Sequence, residues 1–149
     1  MIDVRFPGGQ VHIRHGARVA YRFEFELPDG SAVVVVDDDD IVPPRGRDFE
    51  CRAEGLWFAA ICETAGEHWS FGLEAFGLSF DDAVAAAAGG FGERVAVGYD
   101  LEWEIAPRGR RETSASNGVG VPPTGAVFGT VLVGSDVYDI DGPGEFAHS

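Results

Sequence analysis

Three side chains in the stretch Glu67 to Phe80, EHWSFGLEAFGLSF, could do proton chemistry: His68, Ser70 and Glu74. They stand at even spacing, and in an extended chain even spacing puts side chains on one face. An imidazole titrates near neutral pH, a carboxylate can orient and charge-compensate it, and a hydroxyl can relay a proton. With that face turned into a hollow, His68 could move a proton with Glu74 as its charge partner. With it turned elsewhere, His68 is a surface or core histidine satisfied by one hydrogen bond. A second set, Trp57, Trp69, Phe71, Tyr99 and Trp103, could wall an apolar ligand pocket or simply fill a core.

Other groups carry weaker signals. Asp100, Glu102 and Glu104 share a strand face, where a buried pair could act as an acid, but nothing basic accompanies them and solvent is the simpler environment. Arg108, Arg110 and Arg111 could meet an anion or be solvated. Asp37 to Asp40 invite a metal, yet neighbours in an extended run point to opposite faces and no calcium-loop spacing follows, so no metal site is assigned. The four histidines, His12, His15, His68 and His148, lie too far apart for a local metal motif. Phosphate-loop, GxSxG, HExxH and CxxC patterns are absent, and no cofactor is implied.

Composition bounds what these residues can serve. A chain of 149 residues with 45% apolar content suits one globular domain, 1–149, with one core. The net charge of -14 repels nucleic acid and anionic membrane surfaces. No apolar run approaches the roughly 18 residues of a spanning helix, and MIDVRFPGG lacks the pattern of a signal peptide, which points to the cytoplasm. Cys51 and Cys62 flank a tight turn at Glu54-Gly55. Pairing across that turn sets Cys51 opposite Phe58 or Ala59, so both thiols are expected to be free.

The elements that must position these groups read as strands. Val11 to Arg14 alternates, and so does the run through Val19, Tyr21, Phe23, Phe25 and Leu27. A three-residue loop over His15 to Ala17, with Gly16 near a positive-φ position, would set Ile13 against Val19 and Val11 against Tyr21. Pro28-Asp29-Gly30 turns the chain so that Phe25 meets Val33 and Phe23 meets Val35. Asp48 to Ala53 and Leu56 to Glu63 form the next hairpin, and the apolar run LWFAAICE reads as a central strand. In the strand from Glu67 to Phe80 the apolar side changes from odd to even positions, which predicts a bulge near Glu74-Ala75. Asp81 or Asp82 caps a short alanine helix that Gly89-Gly90 stops. Val95 to Ile105 alternates cleanly. Residues 107–124 read as a mobile loop and a candidate lid, and Ala126 to Val133 with Val137 to Ile140 form a last hairpin.

About nine strands, one short helix and tight turns make an antiparallel meander. It is predicted to close into a lipocalin-like β-barrel, because closure removes exposed edges, with a β-sandwich as the alternative.

Several segments also resemble a bacterial lipocalin-like superfamily typified by hydroxyneurosporene synthase, a carotenoid hydratase. They are Gly55-Leu56-Trp57 through Cys62-Glu63, Glu67-His68-Trp69 with Gly72-Leu73-Glu74, Asp100 to Glu104, and Asp141-Gly142-Pro143-Gly144. Members of that superfamily often hold two consecutive barrel halves and continue from the glycine-rich turn into Arg-Asp-His-Ser-Trp. Here Phe146 and Ala147 stand where the Arg and Asp would be, so a relay using that pair is lost. His148 remains, at a chain end expected to fray. The resemblance implies a barrel around a lipophilic terpenoid or polyketide-like molecule, with cofactor-free hydration, isomerisation or cyclisation. The contrasting reading is a non-catalytic ligand-binding or structural barrel, dimeric through the edge that a missing second half would leave. The chain is then a truncated form, a minimal barrel, or a half that needs a partner.

Overall fold

The computed structural model describes residues 1–39, 41, 49–107 and 123–149. Ten strands and one helix follow in the order β1 (Ile2–Phe6), β2 (Gly9–His15), β3 (Val19–Glu26), β4 (Ala32–Asp37), β5 (Phe49–Ala53), β6 (Leu56–Thr64), β7 (His68–Phe80), α1 (Ala83–Ala87), β8 (Glu93–Ile105), β9 (Thr124–Val133) and β10 (Asp136–His148). All pairings are antiparallel. The strands run side by side as β4-β3-β2-β1-β10-β9-β8-β7, and β4 pairs with β7 to close the ring. The result is a closed eight-stranded barrel of the lipocalin-like kind, rather than the sandwich. The β5–β6 hairpin is an excursion between β4 and β7. Its member β6 lies along the first part of β7, Leu56 opposite Ala75, while Leu78 to Phe80 of the same strand pair with β4.

Side-chain alternation decides which surface of each strand turns inward. On β3, Val19, Tyr21, Phe23 and Phe25 are buried while Arg22, Glu24 and Glu26 are exposed. On β8, Val97, Tyr99, Leu101 and Trp103 are buried, with Asp100 and Glu104 outside. Burying the apolar set of every strand on one side drives closure, since each fully buried Val, Leu or Phe contributes about 1.5–3 kcal/mol. Helix α1 lies against the outside of β4 and β7. Asp82 accepts a hydrogen bond from the Ala85 N–H at 2.7 Å and starts it, as the sequence predicts. No helix among the described residues is long and apolar enough to cross a membrane.

Several expectations hold in detail. Phe25 pairs with Val33 and Phe23 with Val35. Cys51 lies opposite Phe58, and both cysteines are free thiols, Cys51 buried and Cys62 exposed. Burial pushes the Cys51 thiol up to about 11.

Others need correction. β1 was not anticipated, yet it is the strand that joins β2 to β10, with Val4 opposite both Val11 and Phe146. The β2–β3 loop is Gly16 to Arg18, so Ile13 meets Tyr21 and Val11 meets Phe23, two residues away from the predicted register. A two-residue slip keeps every side chain on its own face, so hydrophobic matching cannot separate the two registers. Gly16 does not have a positive φ. The β7–β8 ladder runs without a break from His68 to Ser79, so no bulge sits at Glu74-Ala75. The irregularity falls in β6, between Cys62 and Thr64. The change of apolar side in β7 arises because Phe76 and Leu78 stand on the outer wall, the ring of Phe76 beneath the Arg94 guanidinium at 4.2 Å. β6 is no central strand of the barrel, and its far half, Ile61 to Thr64, is exposed on both faces. His148 is not frayed: it belongs to β10, pairs with Ile2 and lies 4.9 Å from the Trp69 ring. The first and last strands thus lie side by side within the ring. The candidate lid, apart from its two ends, and Arg108, Arg110 and Arg111 lie outside the described residues, as do Asp40 and the loop 42–48.

Candidate functional site

The residues singled out by the sequence fall on two sides of the barrel wall. Phe71, Tyr99 and Trp103 point inward and are buried, and Trp69 joins them, partly covered. His68, Ser70, Glu74 and Trp57 point outward. One cavity cannot be lined by both sets. β7 carries aromatics on its odd positions and polar groups on its even ones, and the larger apolar set takes the interior.

That interior is packed across its width. The Tyr21 and Tyr99 hydroxyls share a hydrogen bond of 2.8 Å from β3 to β8. The Phe23 ring lies 5.0 Å from Tyr99, and Phe58 5.3 Å from Tyr21. Burial, with the phenolate charge of Tyr99 as a lesser cause, raises the Tyr21 pKa, and burial raises that of Tyr99. Both phenols are therefore neutral across the physiological range. Towards one end of the barrel Trp69, Phe71 and Trp103 meet Phe146, with ring centroids 5.1, 5.4 and 5.2 Å away. Three of the predicted ligand-wall residues are thus brought together, and Phe146 fills the space between them. The indole N–H groups of Trp69 and Trp103 are buried there without a hydrogen-bond partner among the described residues.

The outer wall holds the polar set. His68 Nε2 lies 2.8 Å from Glu102 Oε1 on β8. Its carboxylate partner is therefore Glu102 and not Glu74, which sits six positions further along the strand. Ser70 donates to Glu63 at 2.7 Å, so its hydroxyl is directed to β6 and away from His68. The pair is a base with an orienting carboxylate and no assembled nucleophile. Among the described residues no group of three or more His, Cys, Asp or Glu side chains could hold a metal ion.

Higher on the same wall, side chains align in a row across four strands: Trp57 faces Glu74, Glu74 faces Gly98, and Gly98 faces Leu132. Gly98 presents no side chain, so the wall sinks between the residues that flank it. A groove of about 770 Å³ results, bounded by Arg52, Trp57, Glu74, Phe76, Asp100 and Leu132. The Trp57 ring covers Gly72, only 3.1 Å from where a Cβ would stand. Its indole N–H donates to Glu50 Oε1 at 3.1 Å, and Arg52 donates to the same oxygen at 2.8 Å. Arg52 first, then Trp57, keeps the Glu50 carboxyl below its ordinary range. Phe76 and Leu132 are exposed at 52% and 41%. Glu74 and Asp100 enter no ion pair among the described residues.

The groove contains Trp57, Glu74, Tyr99 and Asp100, which the sequence singles out, and Arg52, Phe76 and Leu132, which it does not. Phe76 looked like core because its neighbours Leu78 and Phe80 share its parity. The available signal was Gly98, a glycine at an outward position of the long apolar strand β8.

Comparisons with protein-family models, with curated proteins and with solved structures found no match for this chain.

Proposed function

We propose that this protein is a non-catalytic binding barrel that takes a lipophilic small molecule on its outer wall, in the groove beside Trp57. The observation that carries the reading is the groove itself. It combines a depression at Gly98, a hydrogen-bonded indole and two exposed apolar side chains in a volume within the range of small-molecule sites. Exposed aromatic and aliphatic groups that converge in a concavity gain most from covering by an apolar ligand. The likeness of the Gly55 to Glu63 and Glu67 to Glu74 segments to the carotenoid hydratase superfamily supports a terpenoid or polyketide-like skeleton as the ligand class. N-phenyl-1-naphthylamine, a neutral lipophilic fluorophore, tests the site. Its fluorescence should rise on binding to the unmodified protein and to His68→Ala, and fail to rise with Trp57→Ala. Equal enhancement in Trp57→Ala would overturn the assignment, and native mass spectrometry of the purified protein would identify any lipophile carried along.

A second reading is cofactor-free proton transfer, favoured by the 2.8 Å pairing of His68 with Glu102. Glu102 would keep one ring nitrogen engaged, leaving Nδ1 to take a proton during hydration, isomerisation or cyclisation of the same class of molecule. The absence of a nucleophile is no obstacle to such reactions. The outward position of the pair, open to water, makes this the weaker reading. Loss of turnover in His68→Ala with fluorophore binding intact would establish it over the first.

A further inference from the structure

β5 is the end strand of the sheet, and among the described residues no strand pairs with its second edge. The Phe76 N–H donates to the Gly55 carbonyl at 3.1 Å, so Gly55, Trp57 and Ala59 direct their backbone groups towards β7. Leu56, Phe58 and Ala60 then direct theirs towards β5, where they meet Ala53, Cys51 and Phe49. The two remaining residues of β5, Glu50 and Arg52, turn their N–H and C=O groups to the open edge. An edge of this kind is a template for another strand.

We propose that this edge pairs with the same edge of a second copy of the chain, antiparallel about a twofold axis through Cys51. Only edge-directed residues can exchange ladder hydrogen bonds, which leaves three registers centred within the strand. One sets Glu50 against Glu50 of the second copy, and one sets Arg52 against Arg52. Both put like charges directly opposite, an arrangement that destabilises a ladder. The third sets Glu50 against Arg52 twice over, and it alone is attractive. The side chains concerned lie on the outer face, with exposures of 43% for Glu50 and 74% for Arg52. They already reach one another within the chain, Arg52 Nη2 to Glu50 Oε1 at 2.7 Å. The chain's net charge of -14 opposes association everywhere else, which makes a locally neutral contact the favourable one.

The pairing has a structural consequence. Arg52 lies opposite Trp57 in the outer row. In the dimer that row continues into Glu50 of the second copy, so each groove gains a wall from the other chain. The association itself stands apart from whether the groove binds a ligand, and its test uses none.

Sedimentation velocity at about 0.15 M salt, where the copies' long-range repulsion is largely screened, tests the pairing from micromolar to about millimolar protein. The unmodified chain should shift from monomer to dimer. Glu50→Arg and Arg52→Glu should each weaken dimerisation by about tenfold or more, since both ladder pairs become repulsive. The double variant Glu50→Arg/Arg52→Glu should recover it, because the opposition of charges is restored. Amide exchange at Glu50 and Arg52 in the unmodified chain should slow as concentration rises, a readout that needs no variant to fold. A chain that stays monomeric throughout, single reversals that leave the dimer unchanged, or a double variant that does not recover would each overturn the proposal.

Discussion

Among the described residues, the hydrogen bond between Tyr21 and Tyr99 is the one polar contact between side chains wholly within the core. Removing one hydroxyl leaves its partner buried without a mate, at a cost of about 1–3 kcal/mol, whereas removing both leaves no orphan. Tyr21→Phe and Tyr99→Phe should therefore each destabilise the barrel, and the double variant should cost less than the sum of the two. Urea unfolding of the four proteins checks this, and a double variant equal to the sum would mean the hydroxyls are not coupled. The same pair sets an alkaline limit. Both folded pKa values are raised by burial, so the unfolded chain, titrating at about 10, gives up these protons first. Their contribution is complete below about pH 10 and is lost as pH climbs above it towards the folded values. The double phenylalanine variant should show a shallower alkaline decline than the unmodified protein.

Among the strands, what could be read beforehand depends on whether the pattern had one solution or two. The β3–β4 register was legible because the Pro28-Asp29-Gly30 turn fixes loop length and the valines then have one match. The β2–β3 register was not, since a slip of two residues buries the same side chains. β1 alternates as plainly as β2, as Ile2-Asp3-Val4-Arg5-Phe6, but its partners are the distant β10 and the neighbouring β2, and only the first of these reveals its role as closure. The outward direction of His68 and Glu74 could not be read from β7 by itself, because both of its faces carry aromatic residues. Glycines within strands report a different constraint, the approach of neighbouring backbone. Gly129 has φ +137°, and a Cβ there would stand 2.0 Å from the Asp100 carbonyl oxygen. Gly129→Ala should cost more than about 3 kcal/mol or prevent folding, since backbone in the adjacent strand cannot yield. Gly16 has open space around it and an ordinary φ, so Gly16→Ala should be neutral or stabilise by up to about 1 kcal/mol. Thermal unfolding of the two variants should separate them clearly, and equal melting temperatures would refute the close approach of β9 to β8.

At the level of the whole molecule, the chain carries 25 acidic side chains against 11 basic ones. The ion pairs among the described residues are few and exposed: Arg5 with Asp3, Arg18 with Asp39, Arg22 with Glu24 and Arg52 with Glu50, beside two that need a protonated histidine. Exposed pairs contribute about 0–1 kcal/mol each and weaken with salt. Acidic groups outnumber them, and on β8 and β10 they line up outward, Asp100, Glu102 and Glu104 beside Asp139 and Asp141 across β9. Folding gathers these charges onto one small cylinder, whereas unfolding spreads them apart. Self-repulsion therefore opposes the native state more than the ion pairs support it. At about 0.02 M salt the Debye length exceeds 20 Å and the repulsion acts across the whole barrel, while at about 0.3 M it is below 8 Å and only near neighbours feel one another. The melting temperature should rise by a few degrees over that range in sodium chloride. Dilute protein should be used, so that the proposed dimer does not add its own concentration-dependent stabilisation. A fall in melting temperature would mean that attraction between the exposed pairs outweighs the repulsion among the remaining acids.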